Sequence, residues 1–367
     1  MKKVSIFALL LTMSVESHAL SPLKLEVIGL ENDISAVRIN NQGKIAYSRY
    51  DGISVIGDLH TGFSTFAPVA GYSSLSARIT DLNDRGQVTG VAYYNNGVQN
   101  IRAAFRAGIG EETRYLANLP HPENFGAGHR INNHGTVVGT GIFTGFLGIG
   151  DARETGPLTY WSDANGLAPI QHPTFPGDGR NTINDEGYVS DGGRLGRIGQ
   201  SNFVTMNGIF SSGGVSKITN GGFVAGISRQ TTGGNASLEI WNFAGVRKWS
   251  KIFPNYVNPV VIDATDDAKS VLTLGGTGTT FSEPAIWSPL TGTITGVGSL
   301  LDSQAASQGW QPTFMSDMNN AGQMVGYATK NGTSYAVLLS PVPEPATLIA
   351  LGAGIAGILA RRQRRLD

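Results

Sequence analysis

One short pattern recurs along the chain and restricts the folds open to it. An apolar residue is followed by Asn, a polar residue, any residue and Gly, and a strand-like run comes next. Well-formed copies begin at Ile39, Leu82, Ile131, Ile183 and Met318, and weaker copies begin at Ile218 and Ala264. Counted from the second residue of each copy, the spacings are 43, 49, 52, 35, 46 and 54 residues. Periods of this length are typical of solenoids and propellers.

Each copy of the pattern predicts a β-hairpin. Asn, Asp and Gly tolerate positive φ, and Asn and Asp side chains bond their own backbone, so the insert turns the chain tightly. Extended, β-branched segments lie on either side, for example residues 76–82 and 87–93. Third runs are predicted at 101–106, 157–162, 238–243, 284–288 and 335–339, and fourth runs at 114–119, 167–171 and 293–298. Four short strands in 35 to 54 residues match one propeller blade.

The seven copies predict an all-β propeller of seven blades, each of four short antiparallel strands. The last blade lacks one strand, because only residues 323–328, 334–340 and a short stretch before Met318 remain to form it. The alternating N-terminal segment 23–28 is the predicted donor of the fourth strand, pairing with residues 335–339. That pairing would cover two open sheet edges. A right-handed β-helix is the rival architecture, although its coils are usually shorter and more regular.

Composition agrees with an extracellular β protein. The chain of 367 residues contains 50 glycines and 40% hydrophobic residues, and only 15% of its residues are charged. High glycine content without a collagen period favours a turn-rich all-β fold. There is no cysteine, which excludes disulfides, Cys-based catalysis and Cys-ligated zinc. A large core must therefore hold the domain together.

The formal net charge of zero conceals an asymmetry between the ends and the body. Without Lys2, Lys3 and the four terminal arginines, Lys+Arg falls from 27 to 21. Without Glu16 and Asp367, Asp+Glu falls from 27 to 25, which leaves the body near −4. No basic stripe remains, so nucleic acid is not expected as a partner.

The N-terminus predicts export. Residues 1–19 read as a signal peptide, with the basic start Met1-Lys2-Lys3, an apolar run at 4–13 and a small-x-small site that ends at Ala19. Cleavage after Ala19 would leave 20–340 as the propeller domain and 341–367 as a C-terminal sorting segment.

The C-terminal segment combines three elements in a fixed order. Pro343, Glu344 and Pro345 precede an uncharged apolar run at 346–360, which is followed by the Arg-rich end 361–365. The positive end is expected to stay in the cytoplasm, which places the preceding domain outside. The run of fifteen residues predicts a single apolar helix, shorter than the roughly 20 residues that span a bilayer comfortably. It therefore favours a transient membrane anchor, and an ordinary permanent tail anchor is the alternative.

This tail resembles the PEP-CTERM sorting signal of Gram-negative bacteria, with Pro343, Glu344 and Pro345 at the positions of the family's motif. The resemblance implies processing by an exosortase and delivery to the cell surface, the outer envelope or the extracellular exopolysaccharide matrix. The repeated unit over residues 36–340 resembles the extracellular HAF repeat, whose later strand is supplied here by Ala104-Phe105, Tyr160-Trp161, Ile240-Trp241 and Ile286-Trp287.

Candidate binding residues are few. Three tryptophans occupy equivalent repeat positions and are predicted to pack between blades: Trp161, Trp241 and Trp287. Trp249 and Trp310 fall outside that register and are candidates for stacking on carbohydrate.

The recurring motif asparagines are interpreted as turn formers, with a polar ring that binds sugar hydroxyls as the alternative. His121, His129, His134 and His172 cluster in two units without a helical zinc motif. Asp263, Asp266 and Asp267 lack the pattern of a calcium loop and are interpreted as an exposed acidic turn.

No residue is predicted to be catalytic or to bind a metal or cofactor. The chain has no nucleophile elbow, P-loop or dinucleotide fingerprint after a strand. The sequence therefore predicts a non-enzymatic surface or matrix protein with a structural or interaction role. The alternative is a carbohydrate-active enzyme, a glycosidase or polysaccharide lyase, on the same scaffold, because propellers gather distant carboxylates at their centre.

Overall fold

The chain forms a seven-bladed β-propeller. The computed structural model describes residues 20–66, 76–95, 100–116, 126–140, 158–166, 168, 170–171, 181–207, 214–229, 236–253, 259–277 and 280–342. These residues make seven four-stranded antiparallel sheets, which confirms the predicted fold class and the number of blades. The predicted signal peptide, the Pro343-Glu344-Pro345 motif and the C-terminal apolar helix lie outside the described residues.

Each sheet is one blade, and its strands follow chain order. The first strand, β1 (Leu23–Leu30), belongs to the last blade. Blade 1 contains β2 (Ile34–Ile39), β3 (Ile45–Arg49), β4 (Ser54–Asp58) and β5 (Gly62–Thr65). Blade 2 contains β6 (Ser76–Leu82), β7 (Gln87–Asn95), β8 (Asn100–Gly108) and β9 (Arg114–Tyr115). Blade 3 contains β10 (Ala127–Ile131), β11 (Val137–Thr140), β12 (Leu158–Trp161) and β13 (Ile170–Gln171).

The remaining blades repeat this arrangement. Blade 4 contains β14 (Thr182–Ile183), β15 (Tyr188–Asp191), β16 (Arg194–Arg197) and β17 (Phe203–Thr205). Blade 5 contains β18 (Gly214–Ile218), β19 (Phe223–Arg229), β20 (Ala236–Asn242) and β21 (Arg247–Phe253). Blade 6 contains β22 (Val260–Ala264), β23 (Val271–Thr277), β24 (Thr280–Ser288) and β25 (Thr293–Gly296). Blade 7 contains β26 (Gln311–Met318), β27 (Met324–Lys330) and β28 (Thr333–Pro341), with β1 as its outer strand. Short helical segments occur at Glu31–Asp33, Asp163–Asn165, Val297–Leu300 and, as helix α1, at Ser303–Ser307.

The first strand of each blade is the innermost one. Strand β2 contacts β6 on one side and β26 on the other, and β10, β14, β18 and β22 continue the circle. The motif turns follow these inner strands, so all seven turns lie at one end of the propeller, called here the turn face.

The N-terminal strand closes the ring as predicted. Strand β1 pairs antiparallel with β28, from Leu23 opposite Pro341 to Leu30 opposite Tyr335. A bulge between Val27 and Gly29 shifts the register once. The backbone N–H of Val342 donates to the carbonyl of Pro22 at 2.7 Å, so the two ends of the propeller chain lie side by side.

The core lies between blades rather than within one sheet. Middle strands such as β11 and β12 are buried along their whole length, because each blade is covered on both faces by its neighbours. This burial explains why these strands are apolar without strict alternation. Trp161, Trp241 and Trp287 are at most 1% exposed, and each packs with residues of the preceding blade, which confirms the prediction made for them.

Bulges in the inner strands explain why a glycine recurs within the second strand of several blades. Five inner strands skip one residue just before their last two positions, for example between Ile79 and Asp81. Gly90 lies opposite Ile79, and a Cβ there would collide with the carbonyl oxygen of Arg78. Gly139, Gly226 and Gly326 make the same close approach in their blades. The glycine therefore allows the two backbones to approach at the bulge.

Outer strands differ most from the prediction. The predicted run 293–298 is too long, because β25 ends at Gly296 and Val297–Leu300 form a helical turn. Strand β13 comprises only Ile170–Gln171 of the predicted 167–171. The third and fourth strands of blades 1 and 4, which are β4, β5, β16 and β17, and the fourth strand of blade 5, β21, were not predicted.

Candidate functional site

The motif asparagines are buried and serve both their own turn and the next blade. The Asn83 Oδ1 accepts the backbone N–H of Arg85 at 3.1 Å and of Gln87 at 2.8 Å, while its Nδ2 donates to the carbonyl of Asn132 in the next blade at 2.8 Å. Asn40, Asn132, Asn184 and Asn319 likewise donate to the next blade, and the bond from Asn319 to the Asn40 carbonyl crosses the closure at 3.0 Å. None of the five is more than 6% exposed, and their amide hydrogen bonds hold the turns and neighbouring blades together, as the interpretation of these residues as turn formers expects.

The residues that follow these positions form a closed ring of hydrogen bonds, called here the turn ring. Its members are Asn41, Asp84, Asn133, Asp185, Asn220, Asp266 and Asn320. The backbone N–H of each donates to the side-chain oxygen of the next at 2.7 to 2.9 Å, all the way round. Amide and carboxylate alternate except where Asn320 meets Asn41. Each carboxylate is therefore flanked by amides, and the turn ring contains three aspartates in alternate blades.

One residue of each inner strand forms a second layer below the turn ring. These floor residues stand directly before the apolar residue of the motif and are Arg38, Asp81, Arg130, Thr182, Lys217, Asp263 and Asp317. Three are cations, three are acids, and blade 4 contributes the neutral Thr182.

Each floor aspartate accepts a hydrogen bond from a backbone N–H of the next blade. The Asp81 Oδ2 accepts the N–H of Ile131 at 2.8 Å, and the Asp317 Oδ2 accepts that of Ile39 at 3.0 Å. In this way the floor aspartates tie blade 2 to blade 3 and blade 7 to blade 1.

Asp263 and Asp317 form a buried, hydrogen-bonded carboxyl pair beside a lysine. Burial, the hydrogen bond to Asp263 and the charge of Asp263 raise the pKa of Asp317 well above its ordinary value. Burial would also raise the pKa of Asp263, but the Lys217 ammonium, 2.8 Å from its Oδ1, and the Asp317 hydrogen bond hold that pKa below its ordinary value. Burial would lower the pKa of Lys217, yet Asp263 and Asp317 raise it. Within the pair, these effects favour the proton on Asp317 and the negative charge on Asp263.

Two arginines on the other side of the floor have no ion-pair partner among the described residues. The Arg38 Nε donates to the carbonyl of Thr80 at 2.6 Å, and the Arg130 Nη1 donates to the same oxygen at 3.3 Å. Burial lowers the pKa of Arg38, and the nearby Arg130 lowers it further against the opposing effect of Asp317. Both side chains keep N–H donors that bond no described residue.

Together the turn ring and the floor line a narrow cup of about 90 Å³ that is open to solvent at the turn face. Its floor presents Asp81, Arg130, Thr182, Lys217 and the Asp263–Asp317 pair. No aromatic side chain of the described residues lines it. Such a cup suits a small polar or charged ligand better than a sugar that stacks on a ring.

The predicted stacking residues lie away from this cup. Trp249, on β21, is partly buried and packs against Phe223 with ring centroids 5.7 Å apart. Trp310 packs edge-on against Tyr335, and the Lys330 ammonium lies 5.1 Å from its ring centroid. A sugar would have to displace Lys330 to stack on that face, and binding of carbohydrate by Trp249 or Trp310 remains a prediction.

The interpretation of Asp263 as part of an exposed acidic turn is wrong, because it lies 3% exposed in the floor, whereas Asp267 is exposed and Asp266 belongs to the turn ring. The bulge in β22 comes directly before Asp263, which lines the cup. His121 and His172 lie outside the described residues, within which no group of His, Cys, Asp and Glu has the arrangement of a metal site.

The floor residues were missed by sequence reasoning, although a signal existed. Aligning the seven copies on the second residue of the motif places a charged residue two positions before it in six of them. Charge is rare in this chain, so that column is conspicuous once the copies are aligned.

Comparison with known proteins identifies the C-terminal segment and the fold. Residues 341–365 match the PEP-CTERM protein-sorting motif. The chain is similar in structure to YCF48 bound to D1 peptide, with 11% identity, a TM-score of 0.50, and coverage of 88% of this chain and 96% of the other. It is equally similar to the WD40 propeller domain of Doa1, with 11% identity, a TM-score of 0.50, and coverage of 89% and 97%. At this identity the likeness concerns the fold alone.

None of the curated proteins matches the chain in sequence. The chain thus carries a sorting motif for exosortase-dependent export and surface delivery in bacteria, attached to a seven-bladed propeller. Within the described part of the chain, no helix has the length and apolar character needed to cross a membrane.

Proposed function

We propose that the propeller is an interaction or structural module of the envelope or exopolysaccharide matrix of a Gram-negative bacterium. The observation that carries the proposal is the order of the C-terminal elements: the last strand ends at Pro341, where the sorting motif begins. No further domain separates the two, so the propeller itself is the cargo that the motif sorts. The partners are an exosortase, which processes the tail, and an exopolysaccharide, with residues 346–360 as the transient membrane anchor.

The shape of the molecule supports a binding role. Two layers of hydrogen bonds hold the turn face in one arrangement, and this face presents a charged cup to solvent. Preorganised groups lose little entropy when they bind a partner. The resemblance of the repeated unit to the HAF repeat, with its turn and its later aromatic strand, also favours an extracellular origin for the blades.

Processing is tested by mass spectrometry of the protein recovered from the cell surface of an exosortase-containing host. We expect a mature N-terminus at Leu20 and a C-terminus near Pro345, because the tail is removed on sorting. A variant with Pro343, Glu344 and Pro345 replaced by Ala should keep its tail and stay in the inner membrane. Surface protein that still carries Arg361 to Asp367 would contradict exosortase processing and favour a permanent anchor.

A carbohydrate-active enzyme is the second candidate function, and the Asp263–Asp317 pair is the observation that favours it. Carboxyl groups whose pKa values are driven apart serve as the acid and the base in glycoside hydrolysis, where they stand about 5–9.5 Å apart. Asp263 and Asp317 are closer together than that, since they share a hydrogen bond. Their oxygens, however, already bond the backbone N–H groups of Ile39, Ala264 and Met318 and the Lys217 ammonium. These bonds favour a structural role for the pair.

The two functions are separated by incubating the purified protein with bacterial polysaccharides and analysing the products. We expect no cleavage by the wild-type protein. Turnover that is lost in both Asp263→Asn and Asp317→Asn, and kept in an Asp267→Asn control on the exposed turn, would establish the enzyme instead.

A further inference from the structure

The floor of the cup has one interruption in its charge pattern. Around the axis from blade 1 to blade 7, the floor residues are cation, acid, cation, neutral, cation, acid and acid. Blade 4 is the single place among them where two cations, Arg130 and Lys217, flank a residue without charge. Each cation has a floor aspartate in an adjacent blade. For Arg130 and Lys217, that aspartate lies on the side away from Thr182.

The neutral residue at this gap has an unused hydroxyl. Thr182 is 1% exposed and lines the cup, and its Oγ1 has no hydrogen-bond partner within the described residues. A buried hydroxyl without a partner destabilises the fold, so natural proteins usually supply a partner. The other floor residues, by contrast, all make hydrogen bonds.

Arg130 has bonding capacity to spare. Its Nη1 donates to the carbonyls of Thr80 and His129 at 3.3 and 3.2 Å, and its Nε and Nη2 bond no described residue. Lys217 donates one of its three N–H groups to Asp263. Arg130, Thr182 and Lys217, on blades 3, 4 and 5, thus all line the cup and keep donors that bond no described residue, and they are called here the donor arc.

We propose that the donor arc binds the carboxylate of a small molecule, held between Arg130 and Lys217 above Thr182. A carboxylate there restores the alternation of charge that blade 4 interrupts, and it accepts the charge-assisted hydrogen bonds that Arg130 leaves unmade. This site is independent of the sorting of the chain and is distinct from the Asp263–Asp317 pair.

The turn ring restricts which carboxylates enter. Asp84, Asp185 and Asp266 surround the mouth of the cup and repel a polyanion, whereas one carboxylate on a small ligand meets two cations below them. The ligand is therefore a small monocarboxylate, such as a single sugar acid, and not a chain of acidic sugars.

The test uses the full chain in mild detergent, with acetate and glucuronate as probes, glucose as the neutral control and polygalacturonate as the polyanion control. Thermal unfolding and calorimetry should show that acetate and glucuronate bind and raise the Tm, while glucose and polygalacturonate do not. Thr182→Asp places a carboxylate in the gap, so this variant should melt at a higher temperature than the wild type and lose the response to both probes. Arg130→Gln should weaken binding by about tenfold or more, because a charge-assisted bond is lost.

A matched control is Gln42→Glu, which adds the same charge to an exposed turn on the same face without touching the donor arc. It should bind the probes almost as the wild type does. The proposal is overturned if no carboxylate raises the Tm, if glucose binds as well as glucuronate, or if Thr182→Asp still binds acetate. If Thr182→Asp fails to fold, Thr182→Val replaces it, because removing the hydroxyl breaks no hydrogen bond to a described residue. Unchanged binding of the probes by both Thr182→Val and Arg130→Gln would also overturn the proposal.

Discussion

One asparagine in most blades serves two structural purposes at once. Its Oδ1 fixes the turn that follows the inner strand, and its Nδ2 reaches the backbone of the next blade. Sequence reasoning located these turns because tolerance of positive φ is a local property of the residue, and glycines such as Gly86 and Gly135 do adopt positive φ there. The second bond could not be predicted, because its acceptor is 43 residues away for Asn40 and 49 for Asn83.

We expect Asn83→Asp to destabilise the protein by about 2–3 kcal/mol. The change keeps the turn-forming Oδ1 but replaces the donor by an oxygen that faces the Asn132 carbonyl in a buried position. Urea unfolding followed by circular dichroism measures the loss.

Asn242→Asp is the control for that experiment. Asn242 also accepts a backbone N–H with its Oδ1, from Val246 at 2.9 Å, but it makes no bond to another blade. The control should change stability by less than about 0.5 kcal/mol. Equal losses in the two variants would mean that the turn, and not the contact between blades, is what the amide stabilises.

At the scale of elements, the outer strand of blade 7 is β1, which comes from the opposite end of the chain to the other strands of that blade. Leu23 lies in the core cluster of blades 6 and 7, and the backbone N–H of Asp302, which begins α1, donates to the Leu23 carbonyl at 2.8 Å. Sequence reasoning found this pairing by counting strands, because a blade with three predicted strands leaves an open edge. It did not find the bulge between Val27 and Gly29, since nothing in the alternation of that segment indicates one.

We expect deletion of residues 20–29 to lower the free energy of unfolding by at least about 4–5 kcal/mol. The deletion removes the pairing along β28 and exposes side chains of the core around Val337 and Leu339. Because typical domains are stable by only about 5–15 kcal/mol, the whole propeller should melt earlier in one transition. Thermal unfolding monitored at several wavelengths tests this expectation.

Val27→Thr is the matched control in the same strand, because Val27 is 43% exposed and keeps its backbone pairing. It should cost less than about 0.5 kcal/mol. A truncated chain that loses blade 7 alone, while the other blades melt at the original temperature, would show that closure does not stabilise the ring as a unit.

At the scale of the whole molecule, the floor charges join blades that are distant in sequence and make stability depend on pH. The pKa of Asp317 is raised in the folded protein, so its contribution to stability is complete below its unfolded pKa of about 3.9 and is lost as pH rises through the folded value. The pKa of Asp263 is lowered, so its contribution is present above about 3.9 and is lost as pH falls through its folded value.

We therefore expect Asp317→Asn to become more stable relative to the wild type as pH rises. Asparagine keeps a donor for Asp263 and cannot ionise. The variant therefore does not lose stability as the wild type does when Asp317 ionises, a loss of at most about 1.4 kcal/mol in the free energy of unfolding per pH unit. Melting temperatures of both proteins between pH 4 and pH 9 measure the difference. Asp263→Asn should instead be destabilised near neutral pH, because Lys217 loses its partner. Parallel curves for Asp317→Asn and the wild type would show that Asp317 is already ionised in the folded state.

The whole molecule also shows where prediction from sequence stops. Blade number, closure and the packing of Trp161, Trp241 and Trp287 followed from spacing and periodicity, which are properties of one unit or of the count of units. The carboxyl pair and the donor arc required knowing that Lys217, Asp263 and Asp317 share one floor with Arg130 and Thr182. That is a property of the closed ring, and no single repeat contains it.

The adjacent ends of the chain have a mechanical consequence. A surface protein that remains tethered at its C-terminus transmits tension from its anchor into Val342 and then into β28. Strand β28 is held on one side by β27 and on the other by β1, so a pull along the strand must shear two rows of hydrogen bonds at the same time. Shearing breaks many bonds together, whereas peeling a strand from an open edge breaks them one after another. As long as the tail still anchors the chain, the N-terminal strand thus keeps the strand next to that anchor inside a sheet.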